Sequence, residues 1–195
     1  MIKFILIFSL LMLSQQNNSL YGQSKEKIEL EIHVSSSEVP DKALKFIENQ
    51  NFNNRVKWYY EITSGRKSYE AKFNFKGDFH SVEFDTLGNI EDIEVISKFK
   101  NLDKNIQKSL DKNLLNIFKK YKIIKLQRQY IGNQHELETF FKKSNIQSLK
   151  LNFEIELEGK NEKSSWNIYE ILTNSTGEII QYREISMRPT DNLNY

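Results

Sequence analysis

The chain has 195 residues, 38% of them hydrophobic and 28% charged, with 28 basic against 26 acidic side chains and no cysteine. Lysines interleaved with glutamates and aspartates exclude a phosphate-backbone footprint, which needs one sign of charge gathered on a face, so no nucleic-acid partner is expected. The lack of cysteine excludes disulfides, and with them a lipid-anchored export signal, which needs a cysteine at the cleavage point.

The chain opens Met1-Ile2-Lys3 and runs apolar from Phe4 to Leu13, broken only by Ser9. A basic start and a short apolar core fall well below the ~20 residues of a permanent membrane helix and have the form of a secretory signal peptide. Cleavage is expected after Gly22, so residues 1–22 are assigned to the signal, the localisation to periplasm or exterior, and no stable membrane insertion to the mature chain. Loss of Lys3 leaves 27 basic and 26 acidic residues in 173, enough for one ordinary domain or two small ones.

From Ile28, the residues Ile28, Leu30, Ile32 and Val34 alternate with Glu29, Glu31 and His33, the period of a half-buried strand. Pro40 suits a helix's first turn, where its missing N–H would go unbonded anyway. A helix from Pro40 to Asn49 gathers Ala43, Leu44 and Ile47 on one face. Strands are predicted over Val56–Ile62, Ser68–Lys76, Phe79–Asp85 and Ile90–Ile96, joined through Ser64-Gly65, Gly77-Asp78 and Leu87-Gly88-Asn89, which accept tight-turn backbone angles. Leu102, Ile106, Leu110, Leu114, Ile117 and Tyr121 recur at helical spacing and predict a second helix running to Tyr121. Strands follow over Ile123–Ile131, Leu149–Glu158, Trp166–Leu172 and Glu178–Ile185, with a polar loop, Gly132 to Gln147, carrying a short helix over His135–Phe141. The strict alternation of LKLNFEIELE predicts a sheet packed on one side and wet on the other.

The hairpin SVEFDTLGNIEDIEV at residues 81–95 has a looser counterpart, IYEILTNSTGEIIQYREI, at 168–185, and DKAL at 41–44 aligns with DKNL at 111–114. The expected fold class is therefore α+β: two tandem repeats over 23–98 and 99–195, each a helix packed on a four-stranded antiparallel sheet. The elements Val39-Pro40, Trp58, Tyr69-Glu70-Ala71, Phe84-Asp85 and Gly88-Asn89 resemble the PepSY-like family of exported bacterial proteins in its tandem form. The likeness spans residues 29–96 well and 99–185 in outline. It implies a fold similar to the β-lactamase inhibitor protein and a role in binding, with peptidase inhibition among the family's associations. It offers no catalytic residues to carry over, and fold does not fix function.

Catalytic motifs are absent: there is no G-x-S-x-G elbow or S-x-x-K arrangement in a credible context, and seven glycines form no phosphate cradle. No enzyme activity and no cofactor are expected. Asp85, Glu91, Asp92 and Glu94 surround the Gly88 turn but lack the alternating ligand series of a calcium loop, and a solvated hairpin is the expected reading. His33, His80 and His135 stand in unlike contexts, with His80 expected at the core edge. The candidate binding surface is aromatic: Trp58, Tyr59, Tyr60, Trp166 and Tyr169, of which Trp58 and Tyr60 face one side of a strand and Tyr59 the other. Contact within the fold competes for the same rings. The resulting expectation is a non-enzymatic binding protein whose partner is an envelope or secreted protein such as a peptidase. The alternative is a carrier of a small ligand or cation.

Overall fold

The computed structural model describes residues 22–23, 29–50, 52, 55–142, 148–161 and 165–185. Residues 1–21 of the expected signal peptide lie outside the described residues, as do 143–147 of the polar loop. The strands are β1 (Gly22–Gln23), β2 (Glu29–Val34), β3 (Lys57–Thr63), β4 (Arg66–Phe75), β5 (Asp78–Asp85), β6 (Ile90–Ile96), β7 (Lys120–Ile131), β8 (Lys150–Lys160), β9 (Asn167–Asn174) and β10 (Ile179–Glu184). The α-helices are α1 (Asp41–Glu48), α2 (Lys104–Leu115) and α3 (Gln134–Glu138).

All strands join one sheet in the order β1-β10-β9-β8-β7-β6-β5-β4-β3-β2. Only the two-residue β1 runs parallel to its neighbour. This corrects the expected two tandem repeats with a four-stranded sheet each. β6 bonds directly to β7, Asp92 opposite Ile131 and Ile96 opposite Gln127, so one continuous sheet crosses the middle of the chain. The physical reason is the edge: two separate sheets would leave β6 and β7 with unpaired backbone groups, and pairing them satisfies both.

Local chemistry sets the register. Ser64 (φ 50°) with Gly65 (φ 88°) and Lys76 (φ 51°) with Gly77 (φ 92°) close two-residue hairpin loops, with Thr63 opposite Arg66 and Phe75 opposite Asp78. Positive φ at both central residues matches the twist of the flanking strands. The three helices lie on one face, over two apolar clusters. Ala43, Phe46 and Ile47 of α1 and Leu137 of α3 pack with Trp58, Phe73, Phe84 and Ile93. Leu110 and Leu114 of α2 pack with Phe118, Phe153, Ile155, Tyr169 and Ile171.

The second helix stops at Leu115, not at Tyr121 as its apolar spacing predicts. Phe118 accounts for the difference: its ring lies where a Cβ on Gly159 would meet it at 2.6 Å and stands 4.8 Å from the Tyr169 ring. Tyr121 is already in β7, where its hydroxyl donates to Asp111 Oδ1 at 2.5 Å. Among the described residues no helix is long and apolar enough to cross a membrane.

Candidate functional site

The sheet face without helices is concave, because residues from strands at opposite ends of the sheet line one cavity of about 180 Å³. Strict alternation along each strand sends every second side chain there. From the first half come Glu29 and Glu31 (β2), Glu61 (β3), Glu70 (β4), Glu83 (β5), and Asp92 and Glu94 (β6). From the second half come Glu154 and Glu156 (β8) and Glu170 (β9), so ten carboxyl groups meet four basic side chains: Arg66, Lys72, Lys125 and Arg183. Glu70, Glu83 and Asp92 stand directly opposite one another on successive strands, an arrangement that like charges disfavour.

The four cations are engaged at particular places. Lys72 Nζ lies 2.5 Å from Glu31 Oε2 and 2.9 Å from Glu70 Oε2, and sits 4.8 Å above the Tyr59 ring. Lys125 pairs with Glu156 at 2.9 Å, and Arg183 reaches Glu170 Oε1 through Nε at 2.8 Å and Nη2 at 2.6 Å. Arg66 bonds Glu91 and stands 3.8 Å from Glu83.

The centre is served by amides. Gln127 Nε2 donates to Glu94 Oε2 at 2.5 Å, Gln129 Nε2 to Asp92 Oδ2 at 3.0 Å, and Asn152 Nδ2 to Gln129 Oε1 at 3.3 Å. Asp92 is only 9% exposed. Burial, then the neighbouring Glu154 charge, pushes its carboxyl up to about 7. The same two causes hold Glu94 well above the usual carboxylate range, and burial with the Asp92 charge does so for Glu83. Glu61 is raised by burial and by Glu70. Glu70 stays low despite its burial, because Lys72 and a hydrogen bond from Glu61 favour its charged form.

The sequence-derived aromatic set divides by face. Trp58 is buried against Phe84, and Tyr60 packs on Tyr69 with centroids 5.1 Å apart. Tyr169 is buried against Phe118. Tyr59 lies on the concave face beneath Lys72, edge-on to His33, and Trp166 is 49% exposed beside Lys119, Lys120 and Lys160. His80 is buried among Phe73, Phe75, Phe140 and Phe141, its Nδ1 3.0 Å from the Asp78 carbonyl. The acids around the Gly88 turn do not meet: Asp85 accepts from Leu87 and Asn89, whereas Asp92 and Glu94 are buried on the concave face. Sequence reasoning passed over the carboxylates as a solvated face. The signal that could have found them is register, since the hairpin loops fix which acids on successive strands stand side by side.

No family model and no curated protein matches the chain's sequence. Among solved structures it is similar to a DUF2874 family protein from Bacteroides ovatus, with a TM-score of 0.53 and 10% identity over 78% of this chain and 92% of that one. It is similar also to a protein from Bacteroides eggerthii assigned provisionally to the periplasm, with a TM-score of 0.53 and 13% identity over 78% and 93%. A BLIP-like protein from Bacteroides fragilis has a TM-score of 0.48 at 12% identity over 79% and 92%. The likeness to the first two shows a shared fold.

Proposed function

We propose that the chain is an exported, non-enzymatic binding protein of the bacterial envelope, periplasmic or secreted, and that it holds a protein partner on the concave face of its sheet. The observation that carries this reading is the face itself: nine strands line one trough of charged and amide side chains left uncovered by any described helix. Interfaces place aromatic anchors beside polar groups, and Trp166 stands exposed near one end of the sheet. The resemblance of residues 29–96 to the PepSY-like family and the periplasmic assignment of the protein from Bacteroides eggerthii agree with an envelope role. An envelope peptidase remains the partner class that the resemblance suggests.

The test is site-directed photo-crosslinking in envelope extract, with a crosslinking residue at Thr63 or Gln129 on the concave face and at Lys45 on α1. A partner captured from the first two positions and not from Lys45 is the expected result. Equal capture from both sides, or from Lys45 alone, would refute the reading. A second reading, a cation carrier, is favoured by Glu29, Glu31 and Glu61, whose oxygens lie within 4.8 Å of one another. It requires calcium to raise the melting temperature, and loss of that shift in Glu61→Gln.

A further inference from the structure

Within the concave trough, the chemistry of the unsatisfied atoms narrows the ligand. We propose that the centre of the trough is a receptor for a basic side chain, an arginine guanidinium or lysine ammonium carried on an extended partner segment, seated against Asp92 and Glu94. This inference rests on the reading of the concave face as the binding face.

Three buried side-chain atoms near the centre lack a hydrogen-bond partner: Asp92 Oδ1, Gln127 Oε1 and Asn152 Oδ1. All three are acceptors. The amide donors beside them are already committed, Asn152 to the Gln129 carbonyl oxygen, Gln129 to the Asp92 carboxyl and Gln127 to the Glu94 carboxyl. Turning an amide over does not relieve the shortage. Once Asp92 and Glu94 are ionised, inverting Gln127 or Gln129 sets a carbonyl oxygen against a carboxylate, and inverting Asn152 sets it against the Gln129 oxygen. What the ionised centre lacks is donors. Arginine and lysine side chains bring five and three N–H donors respectively and no acceptor, and a charge-assisted bond to a carboxylate is about twice as strong as a neutral one.

Geometry separates an organic cation from a metal ion. Oxygen ligands to calcium sit about 2.3–2.6 Å from the ion and must converge. Among the described residues the group of acids that converges within 4.8 Å is Glu29, Glu31 and Glu61 near the sheet edge, and Asp92 and Glu94 are not part of it. A guanidinium spreads its donors over a wider fork and suits carboxylates set apart. The cavity of about 180 Å³ lies below the ~300 Å³ at which pockets for free drug-sized ligands begin, so it fits one inserted side chain better than a whole metabolite.

Binding is coupled to protons. The titratable groups around Asp92 are Arg66 and Glu70 from β4, Glu83 from β5, Lys125 from β7, Glu154 from β8, and Glu91 and Glu94 on its own strand. Acids outnumber cations among them, which is why burial and Glu154 hold the Asp92 proton up to about pH 7. A cation seated there favours the ionised form, so binding releases protons and tightens as the pH rises from 5.5 to 8.

The test is calorimetric titration of the full mature chain with the peptide acetyl-Gly-Arg-Gly-Arg-Gly-amide. Its twin with citrulline, a neutral isostere, and calcium chloride serve as the other two arms. The arginine peptide is expected to bind with proton release at pH 7, the citrulline peptide about tenfold or more weakly, and calcium not at the centre. Asp92→Asn and Glu94→Gln, each verified as folded by its melting transition, are expected to weaken the arginine peptide about tenfold. Glu178→Gln, outside the trough, should leave it unchanged. Equal affinity for the citrulline peptide, unchanged affinity in Asp92→Asn, or a response to calcium with none to the arginine peptide would overturn the proposal. If crosslinks from Thr63 and Gln129 persist while the arginine peptide fails, the concave face still binds a partner but not through a basic side chain.

Discussion

At the scale of single residues, two glycines show how close approach constrains the chain. Gly88 has φ +79°, and a Cβ there would meet the Ala43 amide nitrogen at 2.9 Å and Pro40 Cβ at 3.0 Å. Around it, Asp85 Oδ1 accepts from the Leu87 and Asn89 amides at 2.8 Å each, and Lys42 Nζ donates to Asn89 Oδ1 at 2.5 Å. Gly177 repeats the construction beneath α2: its φ is +83°, a Cβ there would meet the Leu110 amide nitrogen at 3.2 Å, and Asn174 Oδ1 takes the place of the Asp85 oxygen. Gly88 lets its hairpin end lie against the start of α1, and Gly177 lets its own lie against the middle of α2. Gly65, with φ +88°, has nothing within 4 Å of its would-be Cβ. Gly65→Ala is therefore expected to cost about 1–2 kcal/mol, the left-handed backbone alone, whereas Gly88→Ala adds overpacking and should cost about 3–5 kcal/mol. Urea unfolding with an unchanged slope measures both, and equal costs would show that α1 does not press on the turn.

At the scale of elements, the strands were the most legible part. Alternation and turn residues predicted β3 to β6 and β8 to within a few residues, because the period of two and the positive-φ loops are local properties. The end of α2 was not legible. Ile117 and Tyr121 continue the helical spacing, and nothing local tells that Phe118 is to be inserted against Gly159, a residue forty-one positions later. That contact is tertiary, and it ends the helix where periodicity would extend it. Phe118 is fully buried and Ile117 only partly so. Phe118→Ala should thus cost about 3–5 kcal/mol and Ile117→Ala about 1 kcal/mol. A larger loss at Ile117 would favour the continuous helix and refute the packing described for Phe118.

At the scale of the whole molecule, the alternation of β8 correctly assigns its apolar side but not the state of the other. Glu156 and Asn152, expected on a wet face, are buried, because concavity brings long side chains from neighbouring strands over them. Curvature of a sheet is a collective property that no single strand's sequence displays. Its consequence is an unusual dependence of stability on pH. Asp92 is pushed from 3.8 up to about 7, and Glu61, Glu83 and Glu94 are also raised. The Asp92 carboxyl stays protonated in the fold while its unfolded counterpart ionises, so its contribution is fully present below about pH 4 and is lost as the pH climbs through about 7, and the other three act in the same direction. Glu70 and Asp85, both lowered, act oppositely, but only as the pH falls below about 4.5, near their ordinary values. His80, lowered from 6.5 by burial among phenylalanines, also opposes, losing stability as the pH falls below 6.5. Four raised carboxyls against one imidazole give a net gain on mild acidification, worth about 1–3 kcal/mol from Asp92 alone between pH 7.5 and 5. The melting temperature should therefore rise by roughly 5 °C over that interval. His80→Phe should steepen the rise and Asp92→Asn should flatten it. A melting temperature that falls from pH 7.5 to 5 in the His80→Phe variant would mean that the central carboxylates are ionised and compensated, and that the concave face carries no excess of acid.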